Sequence, residues 1–146
     1  MKLITEEVSQ VKFITEGKGK AKRLCIEGVF LQGGIKNRNG RMYPVDILVK
    51  ECNRYNKTFI SQGRALGELG HPEGPTVNLD RVSHKITSLV REGNNFRGKA
   101  TLLSTPMGKI ATSLLDEGVK LGVSSRGIGS LRESSNGCKM VGEDFN

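Results

Sequence analysis

Apolar and polar positions change over in short blocks along this chain, and most blocks have the length of a strand. Arg23–Gln32 reads RLCIEGVFLQ, an apolar run with a central glycine, which predicts a strand bent or bulged at Gly28. Arg81–Arg91 (RVSHKITSLVR) alternates roughly and is rich in β-branched residues, so it predicts a strand. Glu92-Gly93-Asn94-Asn95 then reads as a hairpin turn and Phe96–Leu103 as the returning strand. Val119–Leu131 predicts a pair of short strands, Glu133–Gly137 a turn, and Cys138–Val141 the start of a further strand. Residues 1–21 are polar and Lys-rich and are expected to be a flexible lead-in, with Val11–Ile14 as a candidate short strand.

Two segments change period. Val45, Leu48, Val49 and Cys52 fall at i, i+3, i+4 and i+7 behind Pro44, which predicts a helix near 44–56. A second helix is expected near 105–117, with Thr105 at its cap and Pro106 at its first position. Its apolar face would be Met107, Ile110, Ala111, Leu114 and Leu115, and Gly118 would end it. Gly33–Tyr43 (GGIKNRNGRMY) is a basic turn region around Asn39-Gly40. Ala65–Asp80 is rich in glycine and proline and reads as loop, with a short extended piece carrying Glu68 and His71. Hairpin-linked strands with two inserted helices, and no βαβ rhythm or repeat, give an α+β, mainly antiparallel β domain over 22–146.

Composition narrows this picture. A chain of 146 residues fits one domain. With no tryptophan, the core must be mostly aliphatic, and Phe30, Phe59 and Phe96 are its expected large members. The net charge of +8 fits either a solvated basic surface or an acidic partner. No nucleic-acid-binding signature accompanies it, so direct nucleic-acid binding is not expected. Cys25, Cys52 and Cys138 are odd in number and form no CxxC pair, which speaks for reduced, buried thiols rather than zinc or disulfides. No apolar run is long enough for a transmembrane helix and no secretory leader is legible, so a soluble protein without a membrane partner is expected.

Two blocks carry candidate chemistry. Gly122–Ser130 (GVSSRGIGS) sets two serines and an arginine among glycines, and glycine permits close backbone approach or positive φ. Ser124 or Ser125 could present a hydroxyl there, with Arg126 and nearby N–H groups around Gly127 supporting an oxyanion. The same residues also fit a plain solvent-exposed turn. The block is neither the Gly-x-Ser-x-Gly elbow nor a phosphate-binding loop. Ala65–Pro72 (ALGELGHP) holds His71 between Gly70 and Pro72, with Glu68 placed to fix its tautomer. His84 follows beside Ser83. Two histidines 13 residues apart, without a helical or carboxylate pattern, do not suggest a metal site, and no cofactor is expected.

The blocks LCIEGVFLQ…NRNGRMYP (24–44), ALGELGHP (65–72), NLDRVSHKI (78–86) and GVSSRGIGSL (122–131), in this order and spacing, resemble the prohead proteases of T-even-type tailed phages. That resemblance implies a serine endopeptidase with a bent antiparallel β-barrel of the herpesvirus-protease type and flanking helices. It implies His71 as general base, Ser124 as nucleophile, and Ser125, Arg126 and Gly127 around the oxyanion. Scaffold and other capsid proteins of acidic character are the implied substrates, inside the prohead in the host cytoplasm, with self-association. The family's preference for aliphatic-x-Glu before the cut makes Ile4-Thr5-Glu6 and Ile14-Thr15-Glu16 expected self-cleavage sites. In the family the strand following a block like VGEDF continues further. With the chain ending at Asn146, the reading expects an incomplete domain, in which Glu68 or His84 would stand in for a third catalytic member. The competing readings are a non-catalytic scaffold-binding module and a basic nucleic-acid-binding domain.

Overall fold

The computed structural model describes residues 2–8, 11–17, 19, 23–70, 74–134 and 137–146. The largest sheet uses β2 (Lys12–Glu16), β3 (Arg23–Gln32), β5 (Leu66–Glu68), β6 (Val82–Glu92) and β7 (Asn95–Leu102) in the order β2-β3-β7-β6-β5. Every pairing in it is antiparallel. The bend predicted at Gly28 lies elsewhere. Gly28 pairs regularly with Gly98, and the register shifts between Val29 and Leu31 instead. The ring of Phe30 there occupies the space a side chain on Gly98 would need.

Two smaller sheets complete the β structure among the described residues. β1 (Lys2–Val8) pairs antiparallel with β8 (Val123–Gly129). β10 (Lys139–Val141) lies between β4 (Arg41–Met42), to which it is parallel, and β9 (Leu131–Glu133). The segment expected to be a flexible lead-in therefore carries two strands, and Ile4 is 1% exposed. The pair of strands expected over 119–131 is a single strand from Val123 followed by the short β9.

The helices follow their sequence signals closely. α1 (Val45–Tyr55) begins behind Pro44 and runs on through a wider turn at 56–60. α2 (Pro106–Asp116) is capped by Thr105, whose hydroxyl accepts the Gly108 N–H at 3.0 Å. Gly118, at φ 83°, closes it. Of the expected apolar face, Ala111 is buried and Met107 and Leu115 half-buried, while Ile110 and Leu114 are exposed; Gly108 adds to the seat. A Cβ on Gly108 would meet the carbonyl oxygens of Leu103 and Ser83, so glycine sets this close helix–strand approach.

The core joins α1, the large sheet, β1 and the chain end: Ile4, Tyr43, Ile47, Leu48, Cys52, Leu89, Phe96, Val141 and Phe145 form one buried cluster. Phe96 is a central member as expected and Phe30 packs at its edge. Phe59 is half-buried and lies against Tyr55. Cys25, Cys52 and Cys138 are all buried. None of the described helices is long and apolar enough to cross a membrane. The molecule is thus α+β with mostly antiparallel strands.

Candidate active site

β8 carries the serine block, and its alternation separates the two serines. Ser124 is exposed while Ser125 is half-buried, because neighbours on a strand face opposite sides. The glycines of the block have a different purpose from the one sequence suggests. None of Gly122, Gly127 and Gly129 has positive φ. A Cβ on Gly127 would lie 2.5 Å from Phe145 Cε1 and 2.7 Å from the Asn146 carbonyl oxygen, and one on Gly129 would be less severely crowded, 3.1 Å from Phe145 Cα. Bare backbone lets Phe145 and Asn146 close over β8, where Ile128 and Asn146 exchange hydrogen bonds of 2.8 and 2.9 Å. β8 is therefore held on one edge by β1 and on the other by the last residues of the chain.

Arg126 ties this strand to the histidine-bearing block. Its Nη2 donates to Glu68 Oε1 at 2.5 Å and to the Thr76 carbonyl at 3.4 Å. Asn78 Nδ2 donates to the other Glu68 oxygen at 3.1 Å. The Glu68 side chain is 3% exposed. Burial pushes its carboxyl upward, but the hydrogen bonds from Arg126 and Asn78 and the Arg126 charge outweigh this and hold it below the usual carboxylate range. His71, three positions after Glu68, lies outside the described residues.

His84 is on β6 opposite Gly67, and its imidazole covers the face where Gly67 has no side chain. Ser83 Oγ and His84 Nδ1 are 2.8 Å apart. Burial pushes its pKa down from 6.5 to about 4, so the ring is neutral at pH 7. It is a fixed hydrogen-bonding group rather than a base titrating near neutrality. Among the described residues no cluster of metal-ligating side chains occurs.

Sequence reasoning missed a third polar group. Glu6 on β1 is 7% exposed, and the turn preceding α1 surrounds its carboxylate. Asn39 Nδ2 donates to Oε2 at 2.7 Å, Tyr43 Oη donates to Oε1 at 3.0 Å, and Arg41 Nε also donates to Oε1. Arg41 Nη2 reaches the Thr5 carbonyl at 2.8 Å. A cavity of about 580 Å³ opens beside Glu6, Tyr43 and Ser125, with Lys12, Lys36 and Arg97 in its wall. The signal was present in NRNGRMY, where amide, guanidinium and phenol donors crowd into one tight turn, but no acceptor was in view.

Fold and family together place the chain among the prohead core proteins of the serine-protease class. The chain matches the model of the prohead core protein serine protease family over residues 5–146, and it belongs to that family. It is 36% identical over 125 residues to the prohead core protein protease of Enterobacteria phage T4, a match covering 84% of this chain. The match spans 58% of that relative's length. The solved structure of the bacteriophage T4 capsid assembly protease superposes with a TM-score of 0.92 at 32% identity, covering 99% of this chain and 92% of that one.

Proposed function

We propose that this chain is a serine endopeptidase of phage capsid maturation, with Ser124 as nucleophile and His71 as general base. The observation that carries the reading is the Arg126–Glu68 ion pair. It fastens the strand bearing exposed Ser124 to Glu68, three positions before His71, and this supports reading the two segments as parts of one site. His71 takes the Ser124 proton as the hydroxyl attacks a peptide carbonyl. Backbone N–H groups around Ser125–Gly127 hold the oxyanion, and Arg126 supports it. The leaving amine takes the proton back, and water then releases the acyl group. Glu68 keeps Arg126 in place, and His84 braces β6 against β5.

The substrates are scaffold and capsid proteins of acidic character, drawn by the net charge of +8 and processed inside the prohead in the host cytoplasm. The mostly antiparallel α+β fold supports a kinship with the bent barrel of the herpesvirus-protease type. Of the two expected self-cleavage sites, the ladder favours the first. β1 runs antiparallel along β8 with Glu6 opposite Ser125 and Glu7 opposite Ser124, so the bond between Glu6 and Glu7 faces the serine pair. Ile14-Thr15-Glu16 is instead paired along β3, and Glu16 is bridged to Lys99. A fluorophosphonate probe tests the nucleophile: peptide mapping should place the label on Ser124 and find none in Ser124→Ala. A label elsewhere, with equal intensity in both proteins, would overturn the assignment.

A further inference from the structure

We infer that Asn39, Arg41 and Tyr43 form the specificity subsite that reads a glutamate side chain immediately before the scissile bond, while the hole filled by Ile4 takes an aliphatic side chain two places earlier. The inference rests on the protease reading and adds to it the residues that choose the substrate. Burial along β1 alternates cleanly: Ile4 is buried, Thr5 exposed, Glu6 buried. A strand laid along β8 thus presents every second side chain to the protein, and the two presented ones meet very different surroundings. Ile4 enters the apolar cluster with Tyr43, Leu48 and Phe145. Glu6 enters a cradle of three donors.

A carboxylate leaves water favourably only where charge and hydrogen bonds replace its hydration. Arg41 supplies the charge, and Asn39 and Tyr43 supply directed donors to both oxygens. Burial, reinforced by the adjacent Glu6 carboxylate, holds the Tyr43 hydroxyl far above the usual tyrosine range, so it stays a donor. An apolar or amide side chain in this place would leave the guanidinium without its ionic partner, which is how a polar site rejects analogues. Arg41 also holds the Thr5 carbonyl, so it grips main chain and side chain of the same strand.

The turn that carries the cradle is held by bonds that do not involve Glu6. Asn37 Oδ1 accepts the N–H groups of Asn39 at 2.9 Å and Arg41 at 3.1 Å. Gly40, at φ 74°, lets the turn close, with its N–H on the Asn37 carbonyl at 3.0 Å. Lys139 N donates to the Gly40 carbonyl at 2.8 Å, fastening the turn to β10. The basic turn that sequence reading left without a function is thereby a preorganised glutamate reader.

The test follows the appearance of a new N-terminus at Glu7 by mass spectrometry in the full chain. Glu6→Gln should slow processing at least about tenfold in the parent. In an Arg41→Gln background the Glu6 and Glu6→Gln chains should process at similar rates, and Tyr43→Phe, which keeps the core ring, should narrow the ratio partway. A Glu-over-Gln ratio unchanged by both Arg41→Gln and Tyr43→Phe overturns the subsite. If the parent chain makes no cut at all, the protease reading fails separately, and the cradle is read in Ser124→Ala by hydrogen exchange. Amide exchange of residues 3–8 should then quicken at least about tenfold on Arg41→Gln. Unchanged exchange overturns the cradle itself.

Discussion

Ser124 and Ser125 differ by one position and by the face of a strand, and on the proposed mechanism the exposed Ser124 is the nucleophile. Ser124→Ala should lower processing by at least about 10³-fold, as loss of a nucleophile does, whereas Ser125→Ala should retain most activity. Comparing initial cleavage rates of the two variants checks this. Glu68→Gln keeps shape but removes the ionic partner of Arg126, and a loss of about tenfold in kcat with little change in KM is expected if Arg126 supports the transition state. With the folded pKa of Glu68 depressed, the pair contributes above the usual carboxyl value of 4.5 and is lost as pH falls through the lower folded value. His84 titrates the other way from a catalytic histidine. Its folded pKa of about 4 lies below 6.5, so the unfolded chain binds the proton first and stability falls as pH drops through this window. By pH 5 the loss is on the order of 2 kcal/mol. Urea unfolding of the parent and of His84→Asn at pH 7 and pH 5 should show that part of the pH dependence only in the parent. The residue types of the serine and histidine blocks were legible in sequence. The reason for the glycines was not, because Gly127 and Gly129 answer to Phe145, a partner that sequence alone does not place beside them.

β8 is an element whose two edges are made from the opposite ends of the chain. Phe145→Ala should cost about 3–5 kcal/mol, the usual range for emptying a buried aromatic site, and should free the edge that Asn146 closes. Gly127→Ala should disturb the same contact by overlap rather than by a void. Thermal unfolding of both variants, with hydrogen exchange at Ile128, checks the expectation. The helices were legible because their signals are local: a proline start, a threonine cap and a glycine stop lie within one turn of the ends they mark. β1 was hidden because its inward positions are Ile4 and Glu6, and a buried glutamate reads as polar in any hydropathy pattern. Its partner strand begins more than a hundred positions away. The outward turn of Ile110 and Leu114 was hidden for a related reason, since periodicity gives an apolar face but not how much of it a neighbour covers.

On the scale of the whole molecule, fold and family place the chain among the prohead core proteases, and its first strand lies along β8, the strand of the proposed nucleophile. The α+β, mainly antiparallel class was readable from the strand and helix patterns, and the Arg126–Glu68 pair joins two of the four blocks that carry the family resemblance. The placement of β1 and the glutamate cradle needed three dimensions. The central claim is that Ser124 performs the cut, and co-expression with the capsid scaffold protein tests it most directly. Gel and mass analysis should find the scaffold fragmented after glutamates with the parent chain, and intact with Ser124→Ala folded to the same extent. Equal fragmentation by the parent and by Ser124→Ala would contradict it.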